Sequence, residues 1–227
     1  MSLSIENTNT LSQQTGIKVL VYGPAGAGKT RLISTTGDLD NTLILSAEAG
    51  LLSLREHSID VFQVTNLDAM REAYGHLKTG NHHYKWICID SISEIAEVCL
   101  AEEKARSTDG RKAYGELADT MFKLIRGFRN LPVNVYMSAK QTRYEVDGGL
   151  VYAPLLPGRQ LKDGIPYLFD EVFALRCQRG EENNVRRFLQ TDNDGFYDAK
   201  DRSGALEMVE PPNLEHIRNK IINPAAQ

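Results

Sequence analysis

Residues 23–30 read Gly-Pro-Ala-Gly-Ala-Gly-Lys-Thr, the stretch of the chain best suited to chemistry. In this G-x-x-x-x-G-K-T spacing, the glycines let the backbone turn tightly, so that its N–H groups approach phosphate oxygens. The Lys29 ammonium would neutralise the β- and γ-phosphates, and the Thr30 hydroxyl would bind Mg²⁺. The pattern predicts a nucleoside triphosphate site made of Gly23, Pro24, Ala25, Gly26, Ala27, Gly28, Lys29, Thr30 and Arg31.

The residues on either side of this loop have the patterns that such a site requires. Residues 17–22 (IKVLVY) are rich in apolar and β-branched types and predict a buried strand. Residues 31–34 continue beyond the loop with helical spacing, which places the phosphates at a helix N-terminus, where the dipole and unpaired N–H groups favour anions. Because a predicted strand precedes the loop and a predicted helix follows it, a phosphate-binding loop is a better interpretation than a chance glycine-rich turn.

A second apolar run ends in an acidic residue. Residues 84–91 read YKWICIDS, so that four apolar residues lead directly into Asp90. A carboxylate that ends a buried strand downstream of a phosphate loop is the Walker B arrangement, in which Asp90 would hold Mg²⁺ beside Thr30.

A third strand candidate also leads to a carboxylate. Residues 41–46 (NTLILS) predict a strand, and Glu48 follows it after one alanine. Because ligands of open α/β sheets bind outside the carboxyl ends of the strands, Glu48 would face the ligand crevice. It would there orient and deprotonate the water that attacks the γ-phosphate. The spacing alone fits a solvated loop glutamate equally well.

Two further pairs of polar residues are candidates for contact with the γ-phosphate. Lys140 and Gln141 follow a predicted strand at residues 133–138, and either of them would be placed to sense the phosphate. Lys200 and Arg202 lie in a turn after a predicted hairpin, with no local carboxylate cluster that demands them. Cations that act on the phosphate of a neighbouring subunit are a recurrent device, and we assign Lys200 and Arg202 to that role.

Composition excludes several classes of protein. Of the 227 residues, 41% are hydrophobic and 25% charged, which is typical of globular chains, and no apolar run is long enough to span a bilayer. No signal-peptide pattern opens the chain, so we expect a cytoplasmic protein. The net charge of −4 provides no global attraction to nucleic acid. The cysteines lack metal-ligand spacing, and Cys88 and Cys177 lie in apolar runs that predict buried, inert thiols.

The remaining patterns alternate between strands and helices. We predict a mobile arm at residues 1–15 and a single α/β domain at 16–227, with a mostly parallel sheet between helices and antiparallel strands at its C-terminal side. Residues 143–152 predict a hairpin with Tyr144 opposite Tyr152, and residues 157–164 a loop whose Arg159 and Lys162 would contact a nucleic-acid backbone or only solvent. Other predicted strands are 59–64, 171–177 and 185–190; predicted helices are 67–79, 93–104, 114–130 and 214–222.

These pieces, in this order, resemble the RecA-like branch of P-loop ATPases, which includes RecA, the DnaB-type helicases and small phage recombinases. The resemblance is carried by residues 23–30, 43–48, 87–91 and 200–204, and it extends from about residue 16 to residue 205. In size and order the chain is most similar to phage-encoded AAA-type nucleotide-binding proteins. The resemblance implies ATP as the nucleotide, Glu48 as the catalytic carboxylate, and the Lys200-Asp201-Arg202 turn as a finger acting on the next subunit.

The resemblance also implies a function. We expect an Mg²⁺-dependent ATPase that acts on single-stranded DNA in phage-type recombination or annealing, as a homo-oligomeric ring or filament, with no membrane partner. We expect no counterpart of the N-terminal polymerisation domain or of the C-terminal DNA-gating domain of full-length RecA, so RecA-type strand exchange is not expected. One alternative is a nucleotide-gated accessory protein, for helicase loading or packaging, with little ATP turnover. A small-molecule kinase is disfavoured because no arginine-rich, lid-like segment is evident.

Overall fold

The computed structural model describes residues 16–48, 50–146, 148–180 and 184–223, together with residues 5 and 7. Apart from residues 5 and 7, the predicted N-terminal arm lies outside the described residues. The strands of the described part are β1 Lys18–Gly23, β2 Thr42–Ser46, β3 Asp60–Gln63, β4 Trp86–Asp90, β5 Asn134–Val146, β6 Gly149–Pro154, β7 Glu171–Arg179, β8 Val185–Gln190, β9 Lys200–Asp201 and β10 Val209–Glu210. The α-helices are α1 Lys29–Leu32, α2 Leu67–Lys78, α3 Ile92–Arg106, α4 Gly110–Arg129, α5 Arg159–Gly164 and α6 Leu214–Ile222.

The strands form one sheet in the order β10-β8-β7-β1-β5-β4-β2-β3, with β6 paired to β5 and β9 to β7. The six strands from β7 to β3 run parallel to their neighbours, whereas β6, β8, β9 and β10 pair antiparallel. One strand, β5, separates the strand of the phosphate loop from the strand that ends in Asp90. This is the predicted RecA-like, mostly parallel sheet with antiparallel C-terminal strands, and the prediction of fold class is confirmed.

The central strands are buried on both faces. Every residue of β1, β2 and β4 is buried, including Lys18, as is typical of parallel strands covered by helices on either side. One face of the sheet packs against α2, α3 and α4, and the other packs against α1, the 3₁₀ turn that follows it, and α6. The fold is therefore a three-layer sandwich, and the carboxyl ends of its parallel strands open between the helical layers.

Side-chain caps define where the helices begin. The side chains of Asn66, Ser91, Asp109 and Asn213 accept hydrogen bonds from the first turns of α2, α3, α4 and α6. Because Asp109 caps α4, this helix begins at Gly110, and the connection between the helices predicted at 93–104 and 114–130 shrinks to three residues, 107–109. None of the described helices combines the length and apolar character that crossing a membrane requires.

Three local predictions are wrong: the pairing of Tyr144 with Tyr152, the loop at residues 157–164 and the burial of Cys177. Tyr144 lies opposite Val151, and Tyr152 lies opposite Arg143, because Gly149 belongs to β6 and the hairpin closes at the Val146–Gly149 pair. Tyr152 instead stacks on Tyr197, with ring centroids 4.7 Å apart.

Residues 159–164 form helix α5 rather than a loop. Arg159 is exposed and Lys162 lies 3.6 Å from the centre of the Tyr144 ring. Cys177 is exposed, whereas Cys88 and Cys99 are buried. It is exposed because β1 pairs with β7 only as far as Ala174, and the end of β7 leaves the core.

Candidate nucleotide site

The phosphate loop lies at the carboxyl end of β1, between β5 and β7. Gly26 and Gly28 have φ angles of 74° and 106°, in the left-handed region that favours glycine, so the loop needs these residues for its backbone path. The Lys29 ammonium donates hydrogen bonds to the carbonyl oxygens of Gly23 (2.8 Å) and Pro24 (3.1 Å). Burial lowers the pKa of Lys29, while the nearby Asp90 and Glu48 carboxylates favour its charged form.

The helix that follows the loop is shorter than its sequence suggests. Helix α1 has four residues, and a 3₁₀ turn at Ile33–Thr35 follows it. The hydroxyl groups of Ser34 and Thr35 donate to the carbonyl oxygens of Arg31 (2.8 Å) and Leu32 (2.7 Å), three residues earlier in each case. Such bonds from short polar side chains compete with helix continuation.

Thr30 and Asp90 converge beside the loop. The Thr30 hydroxyl donates to Asp90 Oδ2 at 2.6 Å, and the Ser138 hydroxyl donates to Asp90 Oδ1. Asp90 is only 3% exposed, and its bond to Ser91 is a cis peptide. Ser138 was not among the predicted site residues, since only the pairing of β4 with β5 brings it next to Asp90.

The Thr30 and Asp90 oxygens are suitable for Mg²⁺. Among the described residues, no three histidine, cysteine or carboxylate side chains form a group that could hold a metal ion. Mg²⁺ does not require such a group, because it keeps several waters and takes one or two protein oxygens together with substrate phosphates. One hydroxyl and one carboxylate next to a phosphate loop therefore fit this ion.

Glu48 lies at the same edge of the sheet. Strand β2 pairs with β4 so that Ser46 lies beside Asp90, and the N–H groups of Ala47 and Glu48 donate to the Asp90 carbonyl oxygen at 2.8 and 3.3 Å. The Ser91 hydroxyl donates to Glu48 Oε1 at 2.5 Å. Glu48 is thus held beside Asp90 by backbone and side-chain bonds and is not a freely solvated loop residue.

The two sensor candidates point to different places. The Lys140 ammonium pairs with Glu94 and Glu97 of α3, at 2.7 and 2.9 Å. Gln141 and Pro24 of the phosphate loop line one small cleft. Of the two, Gln141 is the one that borders the loop.

Lys200 and Arg202 lie away from the phosphate loop of their own chain. Strand β9 pairs with the beginning of β7, at Glu171 and Val172, whereas the loop lies near the end of the β1–β7 pairing. Arg202 forms an ion pair with Asp170 at 2.9 Å, and the Lys200 ammonium is 5.8 Å from the Tyr167 ring centre. Neither cation is among the residues that line the cavity at the loop.

This cavity has a volume of about 840 Å³. Its wall combines most of the phosphate loop with Glu48, Asp90 and Arg187. The Arg187 side chain comes from β8 and donates through Nε to the Ala27 carbonyl oxygen at 3.0 Å. Sequence reasoning missed Arg187, because only the register of β7 with β1 and β8 places it over the loop.

Residues 15–203, more than half of the chain, match the family described as AAA domain (AAA_24). No curated protein matches the sequence. Among solved structures, the fold is similar to a KaiC-like protein from the hyperthermophilic archaeon Pyrococcus horikoshii OT3, at 19% sequence identity, with 77% of this chain and 78% of that chain covered and a TM-score of 0.47. By the family match, the chain belongs to the AAA domain family of P-loop ATPases.

Proposed function

We propose that this protein is a Mg²⁺-dependent ATPase that acts on single-stranded DNA in phage-type recombination or annealing. The observation that carries the hydrolytic part of the proposal is the meeting of Thr30, Asp90 and Glu48 beside the phosphate loop. Nucleotide hydrolysis needs such a set of groups: a hydroxyl, a buried carboxylate and a second, half-buried carboxylate.

In the proposed reaction, backbone N–H groups of the loop hold the phosphates of ATP. Lys29 exchanges its bonds to the Gly23 and Pro24 carbonyl oxygens for bonds to the β- and γ-phosphates. Thr30 and Asp90 would hold Mg²⁺, and the ion would supply neutralisation of the charge on the phosphate oxygens.

Glu48 positions the attacking water and accepts its proton. The water oxygen forms a bond to the γ-phosphorus as the bond to the β–γ bridging oxygen breaks, and ADP leaves with the electron pair. The Ser91 hydroxyl, which donates to Glu48 Oε1, fixes the orientation of the carboxylate. Gln141 borders the loop and is our candidate for sensing the γ-phosphate; Lys140 reaches that role only by leaving Glu94 and Glu97.

Assembly completes the site in this proposal. Lys200 and Arg202 are remote from the cavity of their own chain, which supports a role on the nucleotide of a neighbouring copy in a homo-oligomer. Hydrolysis would then depend on protein concentration. Single-stranded DNA, the proposed partner, would stimulate hydrolysis by favouring the assembled form.

The test is steady-state ATP hydrolysis with and without single-stranded DNA, over a range of protein concentrations, for the wild type and Glu48→Gln. We expect Glu48→Gln to bind ATP and to hydrolyse it at least about 100-fold more slowly, since the general base is lost. The exposed Glu56→Gln variant is the matched control and should hydrolyse ATP as the wild type does.

Two outcomes would contradict parts of the proposal. Equal and very low rates for the wild type and Glu48→Gln, with tight ATP binding, would favour the nucleotide-gated accessory protein. Brisk hydrolysis that is indifferent to DNA at every concentration would remove single-stranded DNA as the partner.

A further inference from the structure

Strand β8 places one arginine across the phosphate loop of its own chain. Arg187 Nε donates to the Ala27 carbonyl oxygen at 3.0 Å, and Arg187 Cδ and Nε lie 3.8 Å from the position that a Cβ would take on Gly28. The side chain lines the same cavity as Lys29 and Asp90. An arginine in this position is within reach of whatever the loop binds.

The charge of Arg187 is not neutralised within the described residues. Two other arginines of this region have acidic partners there: Arg176 pairs with Asp194 at 3.3 Å, and Arg202 pairs with Asp170 at 2.9 Å. Arg187 has no carboxylate partner among the described residues, and its one hydrogen bond there uses Nε alone. Its two terminal nitrogens thus remain for a ligand, and a guanidinium is suited to bind phosphate oxygens through two parallel bonds.

The sheet determines the position of Arg187. Strand β8 pairs with β7 over six residue pairs, with Arg187 opposite Cys177, and β7 pairs in turn with β1, which leads into the loop. The Cys177 thiol also lies 3.8 Å from the Ala27 carbonyl oxygen. Since paired strands of the same chain connect this arginine to the loop, its position over the loop does not depend on a second subunit.

We propose that Arg187 binds the phosphate chain of the nucleotide from within the same subunit. The inference rests on the proposed nucleotide site and adds a division of roles to it. Arg187 contributes to affinity in the isolated chain, whereas Lys200 and Arg202 contribute to hydrolysis only across a subunit boundary. Lys29 and Arg187 then approach the phosphates from two sides of the loop.

The experiment compares the affinities of ATP, ADP, AMP and GTP for the wild type, Arg187→Ala and Arg187→Lys, by calorimetry on dilute protein. Loss of a charge-assisted hydrogen-bond pair should weaken ATP and ADP binding by about 10- to 100-fold. AMP, which lacks the outer phosphates, should lose little, and GTP should lose as much as ATP. Arg187→Lys should recover part of the loss, because it keeps the charge.

Arg186→Ala is the matched control. Arg186 is the neighbouring exposed arginine of β8, and alternation along a strand places it on the opposite face. It should bind all four nucleotides as the wild type does. Thermal unfolding of each variant separates a change in folding from a change in binding.

The outcomes distinguish this inference from the function on which it rests. If the wild type binds no nucleotide, both fail. If the wild type binds ATP and Arg187→Ala binds it equally well, only the role of Arg187 is refuted. An equal loss for ATP and AMP, or a loss confined to one base, would also overturn it, because the arginine would then act on the loop backbone or on the base.

Discussion

The free energy of unfolding of the wild type should fall as the pH rises from about 5 to 8, and replacing Glu171 by glutamine should abolish most of this fall. Glu171 opens β7, is 1% exposed, and has a carboxyl oxygen, Oε2, without a hydrogen-bond partner among the described residues. Burial, and next the neighbouring charge and hydrogen bond of Asp201, raise the pKa of Glu171 from 4.5 to about 8. The folded protein therefore keeps this proton at a pH at which the unfolded chain has released it.

The magnitude follows from these two pKa values. Below pH 4.5 both states hold the proton and the contribution to stability is complete; it is lost progressively until the pH passes about 8. The full difference corresponds to about 5 kcal/mol, of which about 3 kcal/mol is already lost at pH 7. A glutamine amide has the same shape, stays neutral, and can still donate to Asp201.

The assay is urea unfolding of the wild type and Glu171→Gln at intervals from pH 5 to pH 9, with Glu145→Gln as an exposed control. We expect the two proteins to have similar stability at pH 5 and the variant to be several kcal/mol more stable at pH 8. The control should follow the wild type. Parallel curves for wild type and Glu171→Gln across the range would refute the reasoning, since Glu171 would then titrate alike in the folded and unfolded states.

Two further predictions concern assembly and thiol exposure. Replacing Lys200 and Arg202 together by alanine should abolish ATP turnover and leave ATP affinity nearly intact. The variant should still fold, because the exposed ion pair of Arg202 with Asp170 contributes about 1 kcal/mol or less to stability. Loss of both ATP binding and turnover would contradict the intersubunit role. A maleimide reagent should label one cysteine per native chain, Cys177, and three after denaturation, because Cys88 and Cys99 are buried. Mass spectrometry counts the labels, and native labelling of Cys88 or Cys99 would contradict the packing.

The parts of the site that sequence could predict are those with local causes. The phosphate loop depends on glycines at positions of positive φ and on Lys29 and Thr30 at set spacing, so its pattern is legible without the fold. Asp90 and Glu48 could be expected near each other because Asp90 ends one buried strand and Glu48 follows another, and carboxyl ends of parallel strands share one edge.

The parts that sequence could not predict depend on register between strands. Ser138 reaches Asp90 through the pairing of β4 with β5, and Arg187 reaches the loop through two successive pairings of β7. A shift of one residue moves every side chain to the other face of a strand, as the misplaced Tyr144–Tyr152 pair shows. Composition contains no information about such registers.

Strand β5 is one uninterrupted element of thirteen residues, and only its first part lies in the parallel core. Beyond Lys140 it leaves the core and pairs with β6 alone, ending at Val146 beside the exposed Leu150. At ~3.4 Å per residue, residues 141–146 span about 20 Å, and contacts of Tyr144 with Asp198 and of Tyr152 with Tyr197 attach the first half of the hairpin to the rest of the fold. The part of β5 that precedes the hairpin carries Ser138, whose hydroxyl donates to Asp90. A molecule bound at the tip would therefore contact the same continuous strand that carries Ser138 to Asp90 and Gln141 to the phosphate loop.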